Sequence, residues 1–455
     1  MVKGTKESVA RKLMQDVQDI HFRERVRTRI FELLSDAPAT TFQHIVKKAL
    51  NCDPALLLEV LHELQDAHFI FCTKGGAAPA RYWLKARYNA PHKKHTPFSQ
   101  PATTPSPSIS LNSRGPKYLS EKLQEMLDAL PEPAPVHSQW WFSKSGYRCL
   151  INFISDVSKP QTPTAFLGAP TLGALFSQCT DNPVYIFDVD KVILKRIAPH
   201  CSKSTRIMSY NVSHNLDSST KGMFPVVFAD PPWSSSLLRT FLIRSSALVS
   251  AGGILAISFP QLLTRPTIPS ERKKLKKLAS RLGLSLKFNY PNFTEYAVPP
   301  FEHEAYKRSG IRLKKPWRKG DLFIFMKTHK CSIDPAPFIA KIPQWNQYHH
   351  GKTRMFLKRD GLFEDGAPSV EAIAGLKDLV HKSTSSRMPS WNSASLVSSR
   401  NRIAHAFGRK ELSTFLDRYF KNTHRAHEDK ERSSPTMPLE MKKLISRMMG
   451  VGLKL

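Results

Sequence analysis

Between residues 164 and 327 the sequence alternates short apolar runs with helical stretches, and this alternation constrains the fold more than any other feature. The order is TAFLG, GALFSQ, VYIFDVD, KVILKRIA, VVFADPPW and LLRTFLIRSSALVS. Gly252-Gly253, ILAISFP, a basic helix over 270–282, LSLKFNY and DLFIFMK follow. Strands joined by helical crossovers form a mostly parallel sheet with helices on both faces. An α/β, Rossmann-like transferase domain is therefore expected over residues 118–330. Its ligands are expected outside the carboxyl ends of the strands.

Several residues with usable chemistry fall at those ends. Asp188 and Asp190 close the second strand, where a carboxylate can accept from two ribose hydroxyls or cap the helix that follows. The first strand runs into Gly168-Ala-Pro170-Thr, and Gly168 allows close backbone approach to a ligand. Pro170 and Asn211 are assigned to the same cofactor wall. The turn lacks a GxGxxG fingerprint, which favours a phosphate-free adenosyl cofactor over a dinucleotide. Asp230-Pro231-Pro232-Trp233 directly follows the hydrophobic strand VVFA. An acid and an aromatic flanking two prolines at a strand end make a candidate site, and a structural turn is the alternative.

The flanks read differently. Over 18–89, helical spacing (Ile20, Val26, Ile30, Phe31, Leu34), a second helix capped by Thr40 or Thr41 and a third opening at Pro54 precede two strand-like runs, FIFCTK and RYWLKARY. Three helices and a β-ribbon make a winged helix. Its third helix carries Glu59, Glu63 and Asp66 and no Lys or Arg, poor chemistry for phosphate, whereas Lys74, Arg81, Lys85 and Arg87 surround the wing. Residues 90–117 are rich in Pro, Ser and Thr and are expected to be a disordered linker. Residues 331–455 are expected to form a basic, mainly helical region.

Lys and Arg number 68 against 37 Asp and Glu, a formal charge of +31. Such a surplus suits a polyanionic partner, DNA or RNA, and carries no sequence specificity. No apolar run approaches the length that crosses a bilayer, and the polar N-terminus lacks a secretory core, so no membrane partner and a cytoplasmic location are expected. The six cysteines show no CxxC or Cys/His ligand spacing. Reduced, mostly buried thiols and no metal are expected.

The DPPW run resembles the [Asp/Asn]-Pro-Pro-[Tyr/Phe/Trp] motif of amino-methyltransferases acting on adenine, cytosine or glutamine side chains. The resemblance implies that Asp230 and the Pro231 carbonyl accept hydrogen bonds from the target amine, and that Trp233 stacks on the target ring. A second resemblance covers more of the chain. A winged helix, Pro131-Glu-Pro-Ala, Gln139, FLG, Phe187-Asp-Val-Asp190, ADPP and Asn292-Phe293-Thr-Glu295-Tyr296 occur in the order found in the branched-chain polyamine synthase family, which moves an aminopropyl group to a polyamine. That family carries an acidic Gly-Asp-Asp-Asp cluster where this chain has Gly168-Ala-Pro-Thr171, and its CxxC is missing here. The resemblance places Gln139, Trp141, Asn292, Phe293, Glu295 and Tyr296 around the acceptor. FLGAP together with DPPW also resembles the N6-adenine methyltransferase-like group. Arg400-x4-His405 fits the pattern of HEPN-type ribonucleases, which carry both residues on a helix.

The leading expectation is an S-adenosylmethionine-dependent amino-methyltransferase acting on nucleic acid, at adenine N6. An aminopropyltransferase, a non-catalytic nucleic-acid-binding protein and a HEPN-like ribonuclease are the alternatives.

Overall fold

The computed structural model describes residues 2–37, 39–73, 79–85, 116–313, 315–329, 331, 333–334, 336–359, 368–373, 379, 391, 393–425 and 439–449. The chain opens with α1 (Val2–Asp36), β1 (Thr40–Thr41), α2 (Phe42–Lys48), α3 (Pro54–Asp66), β2 (Ile70–Cys72) and β3 (Arg81–Leu84). The strands form a small antiparallel sheet in the order β1-β3-β2. Thr41 caps α2 by accepting from the His44 amide, and Asp53 caps α3 with Pro54 in the first turn. α1 extends well before the periodic stretch that predicted it. Val26, Ile30, Leu57 and Leu61 share one core with Leu263, Tyr306 and Trp317, so this unit is packed onto the central domain. Two of the acids of α3 are already engaged: Glu59 and Glu63 pair with Arg23, and Glu63 also with Arg27.

Lys74 and Arg87 lie outside the described residues, as does the predicted linker apart from residues 116 and 117. α4 (Pro116–Ala129) and α5 (Lys144–Val157) lead into the central sheet. Ser143 caps α5, which buries Tyr147, Leu150, Ile151 and Ile154 against the sheet. The sheet comprises β4 (Thr164–Leu167), β5 (Val184–Asp188), β6 (Thr205–Ser209), β7 (Phe224–Ala229), β8 (Val249–Pro260), β9 (Leu284–Glu295) and β10 (Lys319–Lys327). Its order is β6-β5-β4-β7-β8-β10-β9. β4 to β8 pair in parallel and β10 runs antiparallel to both β8 and β9. The strand order reverses between β4 and β7, so the crevice outside their carboxyl ends is where such a sheet takes a ligand. The crossovers are α6 (Pro170–Ser177), α7 (Lys191–Ile197), α8 (Ser235–Leu248) and α9 (Ile268–Arg281), and α10 (Pro300–Arg308) joins β9 to β10.

The C-terminal region corrects the helical expectation for 331–455. β11 (Trp345–His350), β12 (Thr353–Lys358), β13 (Ser369–Ala372), β14 (Leu396–Ser398) and β15 (Ile403–Phe407) form an antiparallel sheet in the order β11-β12-β14-β15-β13. Among the described residues, α11 (Arg409–Arg425) and α12 (Leu439–Met449) follow the helical reading, and most of SVEAIAGLKDLVHK lies outside them. The stretch read as one helix, SLVSSRNRIAHAF, is a hairpin whose turn places Asn401 at φ 56°, a conformation Asn tolerates better than most residues. Arg400 therefore lies in a turn and His405 in a strand, which removes the single-helix geometry that the ribonuclease resemblance requires.

Cysteine burial is also corrected. None of the six cysteines is in a disulfide, but only Cys52 is buried, and Cys149 and Cys331 are exposed. Among the described residues, no helix is long and apolar enough to cross a membrane, and no group of three His, Cys, Asp or Glu side chains is placed to hold a metal.

Candidate active site

A cavity of about 600 Å³ opens at the switch point, within the range of ligand sites. One end lies over β4, β5 and β6 and is lined by Gly168, Pro170, Asp188, Val189, Tyr210 and Asn211. Gly168 has φ +70°, and a side chain there would meet the Phe241 ring at 2.7 Å and the Asp230 carbonyl at 3.0 Å. The turn therefore requires glycine. Asp188 ends β5 with Oδ1 accepting from the Asp190 amide at 2.8 Å. Burial, then the neighbouring Asp190 charge, push the Asp188 carboxyl up to about 7. Asn211 Oδ1 is engaged by Ser213.

Asp190 occupies a different place from the one the sequence suggested. Its Oδ1 caps α7 and its Oδ2 accepts from Gln139 and from Arg354, with no exposed side-chain surface left. It is a structural neighbour of the cofactor wall. Burial opposes its charge, yet Arg354 beside it holds Asp190 below the usual carboxylate range.

Asp230-Pro231-Pro232-Trp233 forms the middle of the cavity. Asp230 Oδ1 accepts from Tyr296 Oη at 2.6 Å, and Tyr296 Oη also lies 2.8 Å from Ser258 Oγ. The second carboxylate oxygen, Oδ2, is not used in that bond. Burial pushes Asp230 up to about 7, with Tyr296, Ser258 and Arg318 pulling the other way. Trp233 stands at 89° to the Tyr296 ring, centroids 5.5 Å apart. The Trp233 carbonyl accepts from Arg265, which is paired with Glu271.

The far end is aromatic. The Arg318 guanidinium lies between the indoles of Trp140 and Trp233, 4.2 and 4.7 Å from their centroids. Asp53, Phe301, Glu302, Tyr306 and Trp317 complete this end, so the N-terminal unit contributes to the wall. Trp317 Nε1 and Thr264 Oγ1 are buried donors with no partner among the described residues.

Of the residues expected at the acceptor, Trp141 and Tyr296 line the cavity, and Gln139 lines it while both ends of its amide are bonded. Asn292, Phe293 and Glu295 are not in its wall. Asn292 accepts from Gln261, Phe293 packs on Phe153, and Glu295 accepts from Ser143 and Ser145 and pairs with Lys319. The pleat explains Glu295, because Glu295 and Tyr296 are successive residues at a strand end and point to opposite faces, whereas Asn292 sits at φ 57° where the register of β9 against β10 shifts. Arg318, Arg265, Ser258, Asp53 and Glu302 were not found from the sequence. Each is an isolated residue brought in by tertiary packing, and only Ser258, two residues from the end of β8, carried a positional signal.

The residues fit an adenosyl sulfonium cofactor. A strand-end carboxylate, a glycine turn without phosphate-binding amides in series, and apolar Val189 and Val212 form one compartment beside Asp230.

The model of the family described as "Probable N6-adenine methyltransferase" matches residues 135–277, under a third of the chain. The structure is similar to the branched-chain polyamine synthase of Thermus thermophilus solved with N4-aminopropylspermidine and 5'-methylthioadenosine, at 14% identity and TM-score 0.53, covering 70% of this chain and 91% of that one. The C9 mutein of that synthase gives 13% identity and TM-score 0.54 over the same shares. The tRNA (m1A58) methyltransferase of Aquifex aeolicus gives 10% identity and TM-score 0.30, over 46% of this chain and 76% of that one. No curated protein matches the chain by sequence. Residues 135–277 thus carry a methyltransferase domain with S-adenosylmethionine as its cofactor, on a fold shared with the polyamine synthase.

Proposed function

We propose that the protein methylates an exocyclic amine of a nucleic acid, at adenine N6. The observation that carries this reading is the Asp230-Pro-Pro-Trp233 segment facing the same cavity as Asp188, within the segment matched by the N6-adenine methyltransferase family. An exocyclic amine is a weak nucleophile, and orientation with hydrogen-bond acceptance assists it more than a strong base would. Tyr296 fixes Asp230 through Oδ1, which leaves Oδ2 to accept from the amine together with the Pro231 carbonyl. The bound cofactor supplies the methyl group as an electrophilic carbon. Asp188 holds its ribose end, and Trp233 offers an aromatic edge or face to the acceptor ring.

We read the N-terminal unit as a winged helix on its element order, α-β-α-α-β-β. Its third helix opens at the cavity through Asp53, and its Glu59 and Glu63 are engaged with α1, so it shapes the acceptor end and is not a groove-reading helix.

The aminopropyl alternative draws on Asp53 and Glu302, two acids at the acceptor end that would attract a polyamine. Against it stands the turn Gly168-Ala-Pro-Thr171, which holds no carboxylate. Label transfer decides. With methyl-labelled S-adenosylmethionine and single- and double-stranded oligonucleotides, label is expected in N6-methyladenine and lost in Asp230→Ala. Transfer from the decarboxylated donor to spermidine, with none to any oligonucleotide, would replace this reading by the alternative.

A further inference from the structure

Arg354, on β12 of the C-terminal sheet, is a fully buried guanidinium with no exposed side-chain surface. Its Nη1 donates to Gln139 Oε1 at 3.0 Å and to the Glu132 carbonyl at 3.3 Å, and Nη2 donates to Asp190 Oδ2. Gln139 Nε2 donates to the same Asp190 oxygen at 2.8 Å. The chain around it is clamped from the same side. The Glu132 amide donates to the Lys352 carbonyl at 2.7 Å, and the Glu132 carboxylate takes bonds from Ser399 Oγ at 2.7 Å and Arg400 Nε at 2.9 Å. Phe356, next but one to Arg354, lies under both the guanidinium and the His137 ring. All of these contacts converge on the 132–139 segment and the turn after β5, the two pieces of chain that flank Asp188.

A buried ion pair of this kind is a poor source of net stability, because removing two charges from water offsets most of their attraction. Its consequence is geometric. Asp190 caps α7 with Oδ1 and presents its amide to Asp188 Oδ1, while Arg354 and Gln139 hold Oδ2 and so fix the orientation of the carboxylate.

We infer that Arg354 is a positioning residue of the cofactor site. Through Asp190 and Gln139 the C-terminal sheet fixes the turn that aims the Asp188 carboxylate at the ribose hydroxyls, so the C-terminal region completes the cofactor site. This rests on Asp188 being the ribose acceptor. The pair acts on charge as well as geometry. Asp188 is faced by Asp190 from its own turn and by Arg354 from β12, with His137 from the 132–139 segment beside that pair. Burial first, then Asp190, drive the Asp188 carboxyl up to about 7, and Arg354 draws it down. Hydrogen bonding to two hydroxyls needs the ionised form.

The test is calorimetric binding of S-adenosylmethionine to the full-length chain between pH 5.5 and 9, for wild type, Arg354→Met and the double variant Arg354→Met/Asp190→Asn. Wild-type affinity is expected to weaken as pH falls through about 7. In Arg354→Met the weakening moves to higher pH, so that binding at pH 7 is reduced roughly tenfold for each pH unit of movement. It recovers only in part toward alkaline pH, because the turn has also lost its hold on Asp188. In the double variant the like-charge neighbour is gone too, and the weakening moves below that of wild type. One midpoint common to all three proteins, or Arg354→Met binding as tightly as wild type at pH 9, would overturn the inference and leave Arg354 a purely structural residue. Should Arg354→Met fail to fold, the double variant decides, since it buries no unpaired charge. Asp188→Ala binding as tightly as wild type would instead overturn the Asp188 assignment, with the Arg354 contacts still standing.

Discussion

Asp230 is held by one oxygen, and its chemistry depends on what holds it. Ser258, Thr294 and Tyr296 form a buried hydroxyl chain ending on Asp230 Oδ1. Gly320 lies against that chain: a Cβ there would overlap Thr294 Oγ1, stand 2.8 Å from Ser258 Oγ and touch Trp233 at 3.0 Å. Gly320→Ala is therefore expected to cut methyl transfer by roughly tenfold or more while S-adenosylmethionine affinity stays near wild type, since the displaced groups are on the acceptor side. Equal turnover in the two proteins would show that the chain tolerates the shift. Asp230→Ala is expected to lower turnover by roughly 100-fold with the cofactor affinity kept, the size seen when one aimed polar partner of a transition state is lost. The folded Asp230 carboxyl sits near 7 against an ordinary 3.8. An acid with a raised folded value contributes no penalty below about 4. The penalty grows as pH rises through the interval and is complete above 7, at most ~4 kcal/mol and less because Asp230 opens into the cavity. Asp230→Asn should thus raise the melting temperature by about 2–4 °C at pH 8 for each kcal/mol relieved, and by nothing at pH 4. Equal melting temperatures at pH 8 would place the carboxyl in the ordinary range.

At the scale of the element, legibility followed pattern length. The strands TAFLG, VYIFDVD and VVFA are continuous apolar runs because both faces of the sheet are covered, and each was found with its carboxyl-end residue, so Gly168, Asp188 and Asp230 were located together. The edge strand β6 was not found, because Thr205–Ser209 is only half buried and its polar residues hide the run. α5 follows directly on Trp140-Trp141-Phe142, whose aromatic run blurs the start of a helix that Ser143 caps and whose apolar face, Tyr147, Leu150, Ile151 and Ile154, has clear helical spacing. The hairpin of β14 and β15 was misread because LVSS and IAHAF are too short to separate the two periods, and the turn signal rests on one residue, Asn401. That residue supplies a direct check. Asn401→Gly is expected to leave stability within about 0.5 kcal/mol, whereas Asn401→Val forces a β-branched side chain to positive φ at a cost of about 1–2 kcal/mol. Denaturant midpoints measure both, and an unperturbed Val variant would mean that the turn can rearrange. Because Ser399 and Arg400 of this turn bind Glu132, the Val variant should also weaken cofactor affinity.

Across the whole molecule, two fields of opposite sign meet at the cavity mouth. The chain carries +31, yet the cavity is lined by Asp53, Asp188, Asp230, Glu271 and Glu302 against Arg265 and Arg318. On the proposed nucleic-acid reading, this arrangement would draw a phosphate backbone to the surface and keep it out of the interior, so the acceptor that enters would be a base freed from its stack, as in an unpaired or flipped nucleotide. α9 supplies the nearest basic track. Its first turn borders the cavity through Glu271, and Leu275, Leu278 and Ala279 are buried, which leaves Lys273, Lys274, Lys276 and Lys277 exposed along the other face. None of these four lysines has a carboxylate within ion-pair distance among the described residues. Lysines that meet phosphates release counterions, and the slope of log affinity against log salt falls by about 0.9 per contact on duplex and about 0.7 on a single strand. Replacing all four by Gln is expected to reduce that slope by up to about 3–4 units on duplex, measured by anisotropy with a labelled oligonucleotide over a salt series. S-adenosylmethionine binding should be unchanged, because none of the four lysines lines the cavity. An unaltered slope would move the phosphate track to another face, and a slope near zero in the wild type would mean that the +31 charge serves no polyanion at all.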